Sequence, residues 1–159
     1  MTGIIRLAQP SDAEQVRAIS AAAFIPAYAP IIGTAPKPAL EDYRPRIARG
    51  EVWLLETAAI PIATLVLERR EDHVLVYSVA VLPEHQRRGH ARRLLAFAEE
   101  EARRIGQSEL RLYTNDRMTG NLALYRSCGF IETGRRPHPV RAGATLVDLA
   151  KRLMPIETT

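Results

Sequence analysis

Four arginines, Arg87, Arg88, Arg92 and Arg93, fall within seven consecutive residues around Gly89 and His90. Before them an apolar, β-branched run ends at Pro83, and after them Leu94, Leu95, Ala98, Ala102 and Ile105 recur at helical spacing. The pattern reads as strand, loop, helix, with the helix opening at Ala91. The first backbone N–H groups of such a helix have no partner inside it and point into the space ahead, where an anion is the natural occupant. Cations at this end oppose the helix dipole, so the arginines lack a local electrostatic reason unless a polyanion sits among them. The competing reading is a solvated basic face; the strand before and the helix after favour a phosphate site.

Asn121 and Tyr125 are the second chemistry-bearing group. They are four residues apart and share one face of a short helix read over Met118 to Cys128. An isolated tyrosine there serves equally well as a half-buried packing residue. Cys128 has no activating partner in this stretch and reads as packing, not as a nucleophile.

The elements that must hold these residues follow from periodicity. Gly3 to Ala8 reads as a first strand, and Ser11 with Glu14 forms a capping box for a helix through about Ala22, with Val16, Ile19 and Phe24 on its buried side. Pro26, Pro30, Gly33, Pro36 and Pro38 then predict a loop that no regular helix can cross. That loop is either a connector or a lid whose Phe24, Ile25, Tyr28, Ile31 and Ile32 line a pocket. A second helix over Ala39 to Ala48 is interrupted by Pro45. Glu51 to Glu56, Pro61 to Arg69 and His73 to Val81 form an antiparallel meander with turns at 58–60 and 70–72. A helix from about Gly89 to Ile105, capped by Gly106, leads to a strand over Leu110 to Thr114 that lies parallel to the central strand through the crossover. Gly129 stops the Met118 helix, and strands over Phe130 to Thr133 and Thr145 to Leu149 complete an α+β order with a mixed sheet.

Gln86-Arg87-Arg88-Gly89-His90-Ala91 resembles the Gln/Arg-x-x-Gly-x-Gly/Ala signature of the GCN5-related N-acetyltransferase (GNAT) family, with Val81-Leu82-Pro83 where that family's central strand ends. Asn121, Tyr125, Gly129 and Phe130 are similar to a second signature of the family, in the family's order. The resemblance is strongest over residues 60 to 135. It implies a mixed, mostly antiparallel sheet of six to seven strands flanked by about four helices, and acetyl-CoA as cosubstrate. It implies that Gln86, Arg87, Arg88, Gly89, His90, Ala91 and Arg92 hold the pyrophosphate. Backbone groups at Val79 and Val81 would then line the pantetheine arm and supply an oxyanion donor, Asn121 would contact the cofactor, and Tyr125 would act as general acid. The pocket reading of the proline-rich loop rests on the same family analogy.

Acetyl transfer to an amine needs the amine deprotonated and the departing thiolate stabilised. A phenol with a reference pKa of about 10 can donate to a thiolate whose parent lies near 8.5. The base is less legible. Some relatives place a glutamate on the central strand, but Leu75-Val76-Tyr77-Ser78 carries no carboxylate. Glu71, Asp72, His73, Tyr77 and Ser78 remain, acting through water. The gap keeps a second reading in view, a noncatalytic acyl-CoA-binding or regulatory module on the same fold.

With 159 residues, 47% of them hydrophobic and 25% charged, the chain suits a single domain over residues 1–159. No apolar run reaches the length of a membrane span and no leader pattern opens the chain, so the expected location is cytoplasmic without a membrane partner. A lone cysteine and four histidines without ligand spacing indicate no metal. The net charge of +4 suits an anionic partner. Scattered arginines without interleaved aromatics argue for a nucleotide-like cosubstrate and against nucleic acid. The acceptor, a small-molecule or peptide amine, is unspecified, and a homodimer is compatible with the fold without being encoded in any stripe.

Overall fold

Seven strands and four helices form in chain order: β1 (Ile4–Leu7), α1 (Ala13–Ile32), α2 (Arg44–Ala48), β2 (Val52–Thr57), β3 (Ile60–Arg69), β4 (Val74–Val81), α3 (His90–Arg104), β5 (Glu109–Asn115), α4 (Thr119–Ser127), β6 (Ile131–Pro137) and β7 (Thr145–Arg152). The computed structural model describes residues 3–155. The strands make one mixed sheet in the order β1-β2-β3-β4-β5-β7-β6. β1 with β2, β2 with β3, and β7 with both β5 and β6 run antiparallel. β4 and β5 are parallel, as a crossover through a helix demands, and their register covers Val74↔Leu110 and Leu75↔Arg111.

The chain divides into two compact units, Met1–Leu67 with Ser78–Leu94 and Glu68–Tyr77 with Leu95–Thr159. In the first, Val52 to Leu55 and Pro61 to Leu67 are buried without a break, the mark of strands covered on both faces. Arg46 is buried there between Glu41 and Glu51. In the second, Leu110, Leu112 and Thr114 of β5 lie on the same face as Lys151, Leu149 and Val147 of β7 by register, and of these only Lys151 is more than slightly exposed. Leu95, Ala98 and Ala102, the inward stripe of α3, are buried as well.

The helical boundaries depart from the sequence expectation near the N-terminus. α1 does not end at Ala22; it continues to Ile32 with Pro26 and Pro30 inside it. Both prolines are exposed and four residues apart, hence on one face, so the carbonyls they leave without an N–H partner are on the solvent side. Gly33, at φ +81°, ends the helix, its N–H donating to the Ala29 carbonyl. The Ser11/Glu14 capping box gives way to Asp12, whose carboxylate accepts from the Gln9 N–H at 2.7 Å and pairs with Arg6 at 2.8 Å. The second helix is shorter than expected. A 3-10 turn at Lys37–Ala39 precedes α2, which Pro45 opens instead of interrupting because its missing N–H falls where no helical bond is made. The Pro10–Ile32 stretch is also long and apolar enough, by length and composition, to cross a membrane, which corrects the expectation that no such run exists. Its Val16, Ile19, Ser20 and Ala23 are buried in the fold.

Candidate functional site

β4 delivers the chain into the anion loop. After Val81 a 3-10 turn, Pro83–His85, is followed by Gln86 at φ −71°, Arg87 at φ +63° and Gly89 at φ +85°, and α3 begins at His90. Arg88, between the two left-handed residues, has negative φ. Amides of alternating handedness turn their N–H groups inward and form a concavity suited to anions. A left-handed arginine is a strained conformation, and such strain collects where a site demands a particular backbone path. The Gly89 carbonyl accepts from Arg93 N–H at 3.0 Å, so the His90 and Ala91 amides are the opening N–H groups of α3 and have no carbonyl acceptor within it. A β-carbon built on Gly89 meets no atom within 4 Å, so the ground in front of this backbone is open.

The expected loop residues are brought together. Gln86, Arg87, Arg88, Gly89 and Arg92 are exposed, His90 and Ala91 half-buried. His85 and His90 rings meet edge to face at 6.4 Å. Burial, then the charges of His85, Arg88 and Arg93, hold the His90 imidazole below its ordinary value. The loop therefore resists any further positive charge of its own and accepts negative charge.

Two bonds fix the pairing of β4 with β3: at its far end the Leu82 N–H donates to the Ile62 carbonyl at 2.9 Å, and at the hairpin end the Arg70 N–H donates to the His73 carbonyl at 2.9 Å. The two differ in register by one residue, so β4 carries an irregularity between them, and the burial alternation of the strand breaks at Ala80 and Val81. The Val81 carbonyl is taken by the Gln86 side chain, whose Nε2 donates at 3.0 Å. Gln86 thus ties the loop back to the strand, a structural duty beyond the one expected of it.

In the other unit, Asn115 builds the turn from β5 into α4. Its side-chain oxygen accepts from Arg117 N–H at 2.9 Å and its carbonyl from Met118 N–H at 3.0 Å. Asn121 and Tyr125 lie one turn apart on α4, both half-buried. Asn121 Nδ2 donates to Thr114 Oγ1 of β5 at 3.4 Å, and the Tyr125 ring meets Phe130 edge to face at 6.1 Å. Gly129, at φ +95°, ends the helix, and the Phe130 N–H returns to the Tyr125 carbonyl at 3.0 Å. Lys151 covers this end: its Nζ donates to the Cys128 carbonyl at 2.7 Å and pairs with Glu99 at 3.1 Å. Asn115 and Lys151 were not expected from sequence. Asn115 carried a turn signal, a polar residue ending a strand; Lys151, 23 residues from its acceptor, carried none.

The base candidates separate. Glu71, Asp72 and His73 precede β4, whereas the loop follows it. Asp72 is bonded to His73 at 2.7 Å and paired with Arg111 at 3.5 Å. Its carboxyl is held below the usual range, first by the His73 hydrogen bond, which makes it a weaker proton acceptor. Tyr77 and Ser78, within the strand, are half-buried and buried respectively. Among the described residues no group of three or more His, Cys, Asp or Glu side chains is placed to hold a metal ion.

Comparison with known proteins agrees with this architecture. The fold is similar to the PaiA N-acetyltransferase of Thermoplasma acidophilum in complex with coenzyme A, with TM-score 0.75 and 17% identity over 96% of this chain and 99% of that one. It is similar to the ribosomal-protein-S18-alanine N-acetyltransferase of Escherichia coli, with TM-score 0.74 and 20% identity over 99% of each chain. A GNAT family acetyltransferase from Elizabethkingia anophelis with acetyl-CoA bound matches with TM-score 0.64 and 22% identity over 73% of this chain and 84% of that one. A search of the curated proteins found no match. The acetyltransferase (GNAT) family model matches residues 13–130, a span that runs from the first turn of α1 through both β4 with its loop and all of α4, and the chain accordingly belongs to that family.

Proposed function

We propose that the protein is an acetyl-CoA-dependent N-acetyltransferase that moves the acetyl group directly to a primary amine. The observation that carries this reading is the loop: backbone of alternating handedness, four nearby arginines and open space ahead of Gly89. The residues fit a diphosphate chemically. The amides from Arg87 to Ala91 would hold it, with Arg87, Arg88 and Arg92 neutralising its charge. Val79 and Val81 would offer main-chain groups to the pantetheine arm, and the Val79 or Val81 N–H an oxyanion donor.

When bound, acetyl-CoA supplies a thioester, an acyl group already activated toward an amine. The chain's own tasks are then to hold, orient and move protons. The amine nitrogen forms the new C–N bond as the C–S bond breaks, so one proton must leave the nitrogen and one must reach the sulfur. Tyr125 is assigned the second task because a phenol is acidic enough to donate and its place in the family signature matches. Asn121 is assigned a supporting contact with the cosubstrate. Asp72 is disfavoured for the first task because its bond to His73 holds its carboxyl below the usual range; Glu71, His73, Tyr77 and Ser78 remain as candidates acting through water. The neighbours bound to coenzyme A or acetyl-CoA support the cosubstrate.

The test is calorimetric titration with acetyl-CoA followed by thiol release across peptide N-termini, lysine peptides, polyamines, amino acids and aminoglycosides. Binding with turnover on at least one amine class is expected. Tyr125→Phe should lower kcat by about 100-fold, the usual scale for a lost general acid, and leave acetyl-CoA affinity within about threefold. Binding without turnover on every amine would instead establish a noncatalytic acyl-CoA module, and no binding at all would remove the reading.

A further inference from the structure

Ser78 stands out among the buried hydroxyls. It is 5% exposed, and its Oγ is the buried side-chain polar atom without a hydrogen-bond partner among the described residues. Other buried hydroxyls are provided for: Thr64 Oγ1 donates to the Trp53 carbonyl at 3.1 Å, Ser20 Oγ to the Val16 carbonyl at 2.9 Å, Tyr43 to the Pro38 carbonyl, and Thr114 receives Asn121. A buried donor without a partner is unfavourable, and proteins rarely keep one without a use for it. Alanine would fill the same position with no polar group to satisfy.

Its place in the strand supplies the use. Ser78 lies three residues before Val81, whose carbonyl accepts from Gln86 Nε2 at 3.0 Å. Ser78, Val81, the Gln86 tether and the Arg87–Gly89 loop belong to one compact unit. The unspent hydroxyl is therefore upstream of the anion loop on the same continuous backbone, in the strand to which Gln86 ties that loop.

We propose that Ser78 is a further cosubstrate-positioning residue, whose Oγ–H donates to a carbonyl of the pantetheine-thioester arm when acyl-CoA binds. This rests on the acetyl-CoA reading of the loop. The arm carries amide and thioester carbonyls, acceptors of the kind a serine donor satisfies, and in the function proposed above it runs along β4. The bond forms only in the bound state, so the hydroxyl contributes to binding without stabilising the free protein.

Ser78→Ala, Ser78→Thr and the unaltered protein are compared by calorimetry with two probes, acetyl-CoA and adenosine 3′,5′-bisphosphate, the second lacking the arm, and by thermal unfolding without ligand. The expected result is a five- to tenfold loss of acetyl-CoA affinity in Ser78→Ala, no change for adenosine 3′,5′-bisphosphate, partial recovery in Ser78→Thr, and an unliganded melting temperature equal to or above that of the unaltered protein. Acetyl-CoA affinity in Ser78→Ala within twofold overturns the inference. So does a lower unliganded melting temperature, since it would mean the hydroxyl is already bonded in the free protein, to a buried water for example. Failure of the unaltered protein to bind either probe would fall on the loop reading, not on Ser78.

Discussion

Gly89 and Gly106 offer a matched pair of perturbations at opposite ends of α3. Both have φ +85°, and a β-carbon built on either meets nothing within 4 Å. Gly106 follows the helix, its N–H bonded to the Arg103 carbonyl at 3.0 Å and the next N–H, of Gln107, to Ala102 at 2.8 Å. Alanine at either position keeps the space but forces an L-residue into the left-handed region, at about 1–2 kcal/mol. For a chain of this length each kcal/mol lowers Tm by about 2–4 °C, so both variants should melt about 2–8 °C lower. Ligand binding must separate them. At Gly89 the new methyl group enters the open ground proposed for the diphosphate and should weaken coenzyme A binding tenfold or more, about 1.4 kcal/mol. At Gly106 it enters open solvent and should leave affinity unchanged. Thermal unfolding and calorimetric titration of the two proteins side by side give the answer. Equal coenzyme A affinity in folded Gly89→Ala and Gly106→Ala would refute the loop assignment, because backbone strain alone would then account for everything the substitution does.

Three further outcomes are expected. The turn between β2 and β3 holds Ala58 at φ 51° and Ala59 at φ 63°, a conformation that suits Asn-Gly, so Ala58→Asn with Ala59→Gly should stabilise by about 1–2 kcal/mol and raise Tm by a few degrees; an unchanged Tm would show the strain to be already relieved. Lys151→Met keeps the stem against Gly129 but removes the bonds to the Cys128 carbonyl and Glu99, both only partly exposed, and should lower stability by about 1 kcal/mol in denaturant titration. His90, held below the ordinary 6.5, is less readily protonated in the folded protein than in the unfolded chain. Its contribution to stability is therefore full above about pH 6.5 and fades as pH falls toward the folded value. A bound anion offsets the surrounding cations and favours protonation, so coenzyme A affinity measured from pH 7.5 to 6 should rise more steeply in the unaltered protein than in His90→Gln. Parallel slopes would remove His90 from the linkage.

The two motifs, the seven strands and the parallel crossover were legible in the sequence because each rests on local signals: alternation, helical spacing, a proline or glycine at a boundary. β-branched runs bounded by turns fix strands, and an arginine-rich segment between a strand and a helix fixes a loop, whatever else the chain does. The prolines of α1 misled for the same reason. Pro26 and Pro30 break a helix by local rules, and only their shared solvent-facing side shows how the helix continues. Ser11 and Glu14 matched a capping pattern, yet Asp12 won because Arg6 of β1 stands beside it, a partner the local pattern does not contain.

What tertiary structure alone decided is who meets whom across the chain. Lys151 finds the Cys128 carbonyl because β7 returns beside β5, Gln86 closes on Val81 because the loop folds back, and Ser78 is buried with its hydroxyl unpartnered among the described residues. Sequence encodes the donors and acceptors; the distances between them are set by packing, and a hydrogen bond exists only at those distances.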